Sequence, residues 1–280
     1  MSNNKKNNML IYKVFRTILA PIYKFWYNPK IYGKENIPES GPIVVVGNHI
    51  HIMDQCNPIC VTKRCIHYMA KKEYFDPKYK EGKFPWFFRS AGCIPVDRKI
   101  HDDSAKSSAI EVLKEGHALG LFPEGTRNGL KEERAKEIHS KYFKDIDFLE
   151  FYKKAKQNKT SQIDYLEELV NKKIIEEQDF IDNIFDVDAY LKKMLEDKKI
   201  TENDYYNHIF LPFKFGAVSM AQKTDSLIIP FVTTGEYKFR SKNLVVRIGK
   251  PIKIGHEEDL EKVNNELRHS MIELYKKNEK

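Results

Sequence analysis

The stretch IVVV, Ile43 to Val46, is an apolar run without a polar residue alternating through it. Such a run fits a strand buried on both faces. Strand-like runs recur at residues 65–70, 93–96, 118–122, 227–233 and 244–248. Helical patterns separate them, over 54–63, 83–91, 104–115, 213–223 and 257–277, the third stopping at Gly116. Strands alternating with helices predict an α/β fold: a mixed, mostly parallel sheet covered by helices. At 280 residues the chain has ample length for a buried core without disulfide staples.

Two segments fall outside that alternation. From residue 130 to 208 the chain has neither Gly nor Pro, is rich in Lys and Glu, and repeats Ile163, Leu166, Leu169, Val170 and Ile174 at helical spacing. It reads as a charged helical insertion over 129–210, in its simplest form a solvated hairpin. The α/β domain then comprises 31–128 and 211–280. The first 30 residues form the other exception, with Lys5, Lys6, Lys13, Arg16, Lys24 and Lys30 and no acid before Glu35. Ile11, Val14, Phe15, Ile18, Ile22, Phe25 and Trp26 recur there at helical spacing. A basic amphipathic helix ending in Trp and Tyr suits a membrane interface, and the same periodicity also suits packing on a core. Its longest uncharged run, Thr17 to Tyr23, is far short of the roughly 20 apolar residues a spanning helix needs. Arg16 and Lys24 interrupt the apolar region, unlike a secretory signal.

The formal charge of +8 is unevenly distributed. Gly129 to Phe210 carries 15 Lys+Arg against 19 Asp+Glu, while the flanking residues carry 33 against 21, net +12. The flanks therefore suit an anionic partner, lipid surface or nucleic acid. No helix-turn-helix, zinc-finger or aromatic RNA-binding motif is present, so no nucleic acid is expected. Cys56, Cys60, Cys65 and Cys93 contain no C-x-x-C pair, and their spacing with His67 fits no structural zinc pattern. They read as reduced thiols in a cytoplasmic protein, with no metal expected.

Two stretches carry chemistry. In VVVGNHIHIMDQ, His49 follows the 43–46 strand, where open α/β sheets bind ligands. Asp54 would open the next helix, capping it while facing the imidazole. A carboxylate on one imidazole nitrogen fixes the tautomer and frees the other as a base. No G-x-S-x-G elbow supplies a nucleophile, so the group that His49 activates would come from a substrate. In LGLFPEGTRNG, Pro123 rigidifies a strand exit, Gly125 permits close backbone approach, and Arg127 offers a guanidinium suited to phosphate. Glu124 would hold that guanidinium or receive a substrate donor. Lys71 and Arg98 each follow a further strand, so that three cations and one histidine come after four strands.

NHIHIMD matches N-H-x-x-x-x-D and FPEGTR matches F-P-E-G-T-R, so the chain resembles the glycerolipid acyltransferases, most closely the 1-acylglycerol-3-phosphate acyltransferases. AKKEYF, GCIPVDR and LIIPFVTTG resemble that family's other blocks, in order, over about 31–128 and 211–250. The resemblance implies acyl transfer from acyl-CoA or acyl carrier protein to the sn-2 hydroxyl of 1-acylglycerol-3-phosphate, giving phosphatidic acid without cofactor or metal. By the same resemblance His49 is the general base and Asp54 orients it. Arg127, Lys71 and Arg98 hold the acceptor phosphate, and Glu124, Gly125 and Thr126 shape that pocket. It further implies peripheral attachment to the cytoplasmic face of an anionic membrane. Another lysophospholipid or glycerol 3-phosphate as acceptor, and a non-catalytic lipid-binding or nucleic-acid-binding protein, are the alternatives. The sequence departs from the pattern by about 80 residues between FPEGTR and LPFKFGA, and by a single helix ahead of the domain where some members have two.

Overall fold

A computed structural model describes residues 2–79, 82–97, 100 and 102–279, with backbone alone over 2–11 and at 15. Its chain forms two compact units, Thr126–Phe213 and the remainder on either side of it.

In the larger unit a long helix α1 (Ser2–Tyr27) leads into the edge strand β1 (Lys30–Tyr32) and then β2 (Ile43–Gly47). The short helix α2 (Cys56–Ile59), β3 (Ile66–Lys71), α3 (Pro85–Ser90), β4 (Ile94–Val96), α4 (Asp103–Lys114) and β5 (Ala118–Leu121) follow. The second unit holds α5 (Glu132–Tyr142), α6 (Phe148–Ala155), α7 (Thr160–Asn171), α8 (Glu177–Asn183), α9 (Val187–Glu196) and α10 (Glu202–Asn207). The chain then completes the first unit with α11 (Gly216–Lys223), β6 (Leu227–Thr234), β7 (Val245–Ile248) and α12 (Leu260–Glu279).

Among the described residues the strands make one seven-stranded sheet in the order β1-β7-β6-β2-β5-β3-β4. Every pairing is parallel except β6 with β7. The mixed, mostly parallel sheet expected from the alternation of runs is therefore what forms. In β2 the adjacent residues Val44 and Val45 point to opposite faces, and both are buried. Both faces must then be covered, as the unbroken apolar run requires. One face packs Ile43, Val45, Ile66, Tyr68, Ile229 and Phe231 into a single cluster. Helices α4, α11 and α12 pack against β5, β2 and β6.

Two expectations need correction. The helix expected over 54–63 shrinks to the single turn α2, because Pro58 brings no amide hydrogen and the Asp54 carboxylate is spent on the preceding loop instead of capping. The inserted segment is more than a solvated hairpin. Its six described helices enclose a core of their own, with Phe151, Phe180, Ile163, Leu166 and Leu191 fully buried, whereas Ile174 is exposed. Inside it Asn128 donates to Ser161 Oγ and the Ile209 carbonyl, and Asn158 accepts the Val187 amide at the start of α9. Arg134 bridges α5 to α7 by pairing with Asp164 and Glu167. Helix α1 is two-faced. Tyr12 and Tyr23 are buried, Tyr12 OH accepts the Ile66 amide, and Arg16 donates to the Thr62 carbonyl, while Val14, Ile18, Ile22, Phe25 and Trp26 remain exposed. Among the described residues no helix is long and apolar enough to cross a membrane.

Gly47 ends β2 where a side chain cannot fit, because a Cβ there would stand 2.1 Å from the Phe231 ring. Gly47→Ala should cost about 1–3 kcal/mol in chemical denaturation by overpacking. Gly47→Ala combined with Phe231→Leu should recover part of that loss, and additivity of the two losses would refute this account.

Candidate active site

The site is set by strand register. Pairing of Val46 with Leu121 and of Gly47 with Phe231 makes β2, β5 and β6 run out at one edge of the sheet. Immediately after β2, Asn48 continues the ladder with its side chain. Its Nδ2 donates to the Thr233 carbonyl at 2.9 Å and its Oδ1 accepts the Thr233 amide at 2.8 Å. The chain is pinned there, and the next residue, His49, is the first to leave the sheet.

The His49 ring stacks on Phe122, the residue after β5, with centroids 4.1 Å apart and planes 11° from parallel. Its Nδ1 lies 2.8 Å from Asp54 Oδ2. Ionised carboxylates only accept, so this nitrogen carries the hydrogen, and in the neutral imidazole Nε2 keeps the lone pair. The imidazole side chain is 16% exposed and the carboxylate 0% exposed. A buried carboxylate stays charged only when its lone pairs are filled. Asp54 Oδ2 also accepts the Ile50 and His51 amides at 2.7 Å each, and Oδ1 accepts Tyr237 OH at 2.7 Å. The five-residue spacing thus makes a tight loop folded around its own carboxylate. The stretch that follows, containing α2, adds Asn57, whose amide donates to Thr233 Oγ1 at 2.9 Å and Tyr237 OH at 2.8 Å.

The FPEG segment is a four-residue turn closed by the Gly125 amide on the Phe122 carbonyl at 2.9 Å, with Gly125 at φ +70. Buried Glu124 accepts the His49 amide on Oε1 at 2.9 Å, tying this turn to the His49 loop. The sequence offered Arg127 as a partner for Glu124. Arg268 on α12 feels the Glu124 charge: burial pushes its guanidinium below its ordinary range, and Glu124 opposes that fall. Lys214 donates its amide to the Pro123 carbonyl at 2.9 Å, and its side chain crosses Gly125 so closely that a Cβ there would stand 2.9 Å from its ammonium.

Of the residues singled out in the sequence, His49, Asp54 and Glu124 are joined by hydrogen bonds, with Gly125 beside them. Lys71 ends β3 at the same edge of the sheet, with β5 between it and β2. Thr126 and Arg127 begin the second unit, and Arg127 is exposed. Arg98 lies outside the described residues. The cysteines are free; burial pushes the Cys56 and Cys60 thiols up to about 12 and about 11. Asn48, Asn57, Lys214, Tyr237 and Arg268 escaped the sequence reading. A polar Asn57 in the middle of CNPI was the one local signal, and no spacing rule connects Tyr237 with Asp54 across 183 residues.

Comparison with known proteins gives a consistent picture. The Acyltransferase family model matches residues 28–234. The chain is 34% identical over 118 residues to the 1-acyl-sn-glycerol-3-phosphate acyltransferase of Bacillus subtilis, covering 42% of this chain and 57% of that one. It is 34% identical over 101 residues to the protein of the same name from Borreliella burgdorferi, covering 34% and 38%. The chain thus spans about half the length of the curated relatives it matches. The crystal structure of the 1-acyl-sn-glycerophosphate (LPA) acyltransferase PlsC from Thermotoga maritima shares the fold, with a TM-score of 0.53, 18% identity, and coverage of 99% of this chain and 84% of that one.

Because Asp54 holds its own loop together, Asp54→Asn should lower stability by about 1–3 kcal/mol through the donors left facing an amide. His49→Gln should cost less, since the ring makes one of these hydrogen bonds where the carboxylate makes four. Equal melting temperatures for wild type and Asp54→Asn would contradict this.

Proposed function

Because this chain belongs to the acyltransferase family, we propose that it transfers a fatty acyl group from a thioester donor to the sn-2 hydroxyl of 1-acylglycerol-3-phosphate, giving phosphatidic acid. The observation that carries this reading is the His49–Asp54 pair, a base with its tautomer fixed, at a sheet edge where strand ends open. Such a base calls for a hydroxyl brought by the substrate. His49 Nε2 takes the proton of the acceptor hydroxyl as the oxygen attacks the thioester carbonyl. Asp54 stabilises the imidazolium that forms. Collapse of the tetrahedral species breaks the C–S bond, and the imidazolium returns the proton to the departing thiolate of CoA or the acyl carrier protein. The base contributes about 10²–10⁴-fold, and holding the hydroxyl against the carbonyl contributes more.

The acceptor phosphate requires cations. Lys71 at the end of β3 and Lys214 across Gly125 are two, and Arg127, two residues past Gly125, supplies the fork suited to bidentate binding. Wild-type protein should acylate lysophosphatidic acid from acyl-CoA or acyl carrier protein. His49→Ala should abolish turnover without unfolding, and Arg127→Ala should raise the KM for the acceptor. Full activity in His49→Ala would end this mechanism. A panel including other lysophospholipids and glycerol 3-phosphate tests the acceptor, and failure to acylate any of them would favour a binding protein.

A lipid acceptor places the reaction at a membrane surface, and the outer face of α1 suits one. Ile18, Ile22, Phe25 and Trp26 are exposed beside the exposed basic residues Lys13, Lys24, Lys238 and Arg240. Phe239 extends the patch, its ring 5.0 Å from Trp26. In sedimentation with anionic liposomes the bound fraction should fall as salt rises, and should fall again in Trp26→Ala at fixed salt. Binding to a DNA oligonucleotide with indifference to liposomes would reverse the assignment.

A further inference from the structure

We propose that Tyr237 is a positioning residue for the His49–Asp54 pair: its hydroxyl holds Asp54 Oδ1, and Asn57 and Tyr23 aim that hydroxyl. The proposal rests on the acyl-transfer reading for its kinetic consequences and on hydrogen-bond geometry for its substance.

The direction of each hydrogen bond follows from its neighbours. Tyr23, on the inner face of α1, donates its hydroxyl to Asn57 Oδ1. Asn57 therefore presents its NH2 group to Thr233 Oγ1 and to Tyr237 OH. An NH2 can only donate, so the Tyr237 oxygen accepts from it. The single phenolic hydrogen is left to point at Asp54 Oδ1, 2.7 Å away. The ring has no freedom to turn aside, because His51 stacks on one face at 4.3 Å and Tyr27 of α1 meets it edge-on at 5.4 Å. Burial, and then the charge of Asp54, push the phenol well above its ordinary range, so it stays protonated as a donor.

The two oxygens of Asp54 thereby acquire different duties. Oδ2 serves the His49 ring and two loop amides, while Oδ1 has Tyr237. A hydrogen bond to an ionised group favours the ionised form. Loss of the phenol leaves one oxygen of a fully buried carboxylate short of its donor, and reorientation of the carboxylate to recover one would draw Oδ2 away from His49. The same loop packs Phe239 on Trp26 and donates the Arg240 amide to the Trp26 carbonyl, so α1 braces Tyr237 from two directions.

The test is Tyr237→Phe, which keeps the ring and removes only the hydroxyl. In protein with 15N-labelled histidine, the His49 Nδ1–H proton resonance is identified as the one missing from His49→Gln. It should shift or broaden in Tyr237→Phe while the protein stays folded. With lysophosphatidic acid and acyl-CoA, kcat should fall about 10- to 100-fold, the range for a hydrogen bond to a charged group, while the KM for the acceptor stays within about two-fold. In an Asp54→Asn background, Tyr237→Phe should add no further loss. An unmoved His49 resonance, or full additivity of the two substitutions, overturns the proposal. If the wild type acylates nothing, the acyl-transfer reading falls, and the spectroscopic arm, which needs no substrate, still decides the role of Tyr237. If Tyr237→Phe does not fold, Tyr23→Phe replaces it. That variant releases the Asn57 amide with Tyr237 in place, and an unchanged His49 resonance there counts equally against the proposal.

Discussion

Parallel pairing of β2 with both β5 and β6 decides which loops can meet. Parallel strands end at the same edge, so the loop after β2, the turn after β5 and the loop after β6 emerge side by side although they lie about 70 to 180 residues apart in sequence. Asn48 extends that register one residue past the last backbone pairing, by gripping both the amide and the carbonyl of Thr233. Had β2 slipped by one residue, its buried and outward faces would exchange along the whole strand. His49 would then turn away from Phe122 and Glu124. The apolar run that makes β2 a central strand is thus also what aims the imidazole.

The carboxylate at the centre does two kinds of work. It accepts two amides of its own loop, which organises the four residues between His49 and Asp54. It also receives His49 and Tyr237, one from each side. Full burial makes these donors mandatory, since an ionised group in a dry site without partners is far more costly than one in water. Stability and orientation are in this way vested in one group. The Glu124 carboxylate offers a second example, linking the FPEG turn to the His49 backbone and feeling the charge of Arg268.

What could be read from the sequence follows from the range of each interaction. Strands β2, β5 and β6 were visible because burial on both faces demands unbroken apolar runs, and His49 and Asp54 were visible because their partnership is local. Edge strand β1, three residues long with an exposed outer side, carries too little apolar signal to stand out. The length of α2 was misjudged because periodicity cannot reveal that Asp54 is already committed to Ile50 and His51. The self-sufficient core of the second unit was understated for a similar reason. Phe151, Phe180 and Leu191 lie on three different helices, and a one-helix periodicity shows a stripe without showing what covers it. Tyr237 was invisible because its role depends on Asn57 and Tyr23, each fixed by a different part of the fold.

The two faces of α1 bear on how this protein can be handled in practice. Its outward residues Phe25 and Trp26 are the ones an experimenter would delete to improve solubility. Its inward residues Tyr12 and Tyr23 reach the Ile66 amide and the Asn57 side chain. A shortened chain starting at β1 would therefore lose a wall of the active site together with the sticky surface, and its behaviour in an assay would report on both losses at once. Replacing the outward side chains one at a time, with the helix kept, separates the two.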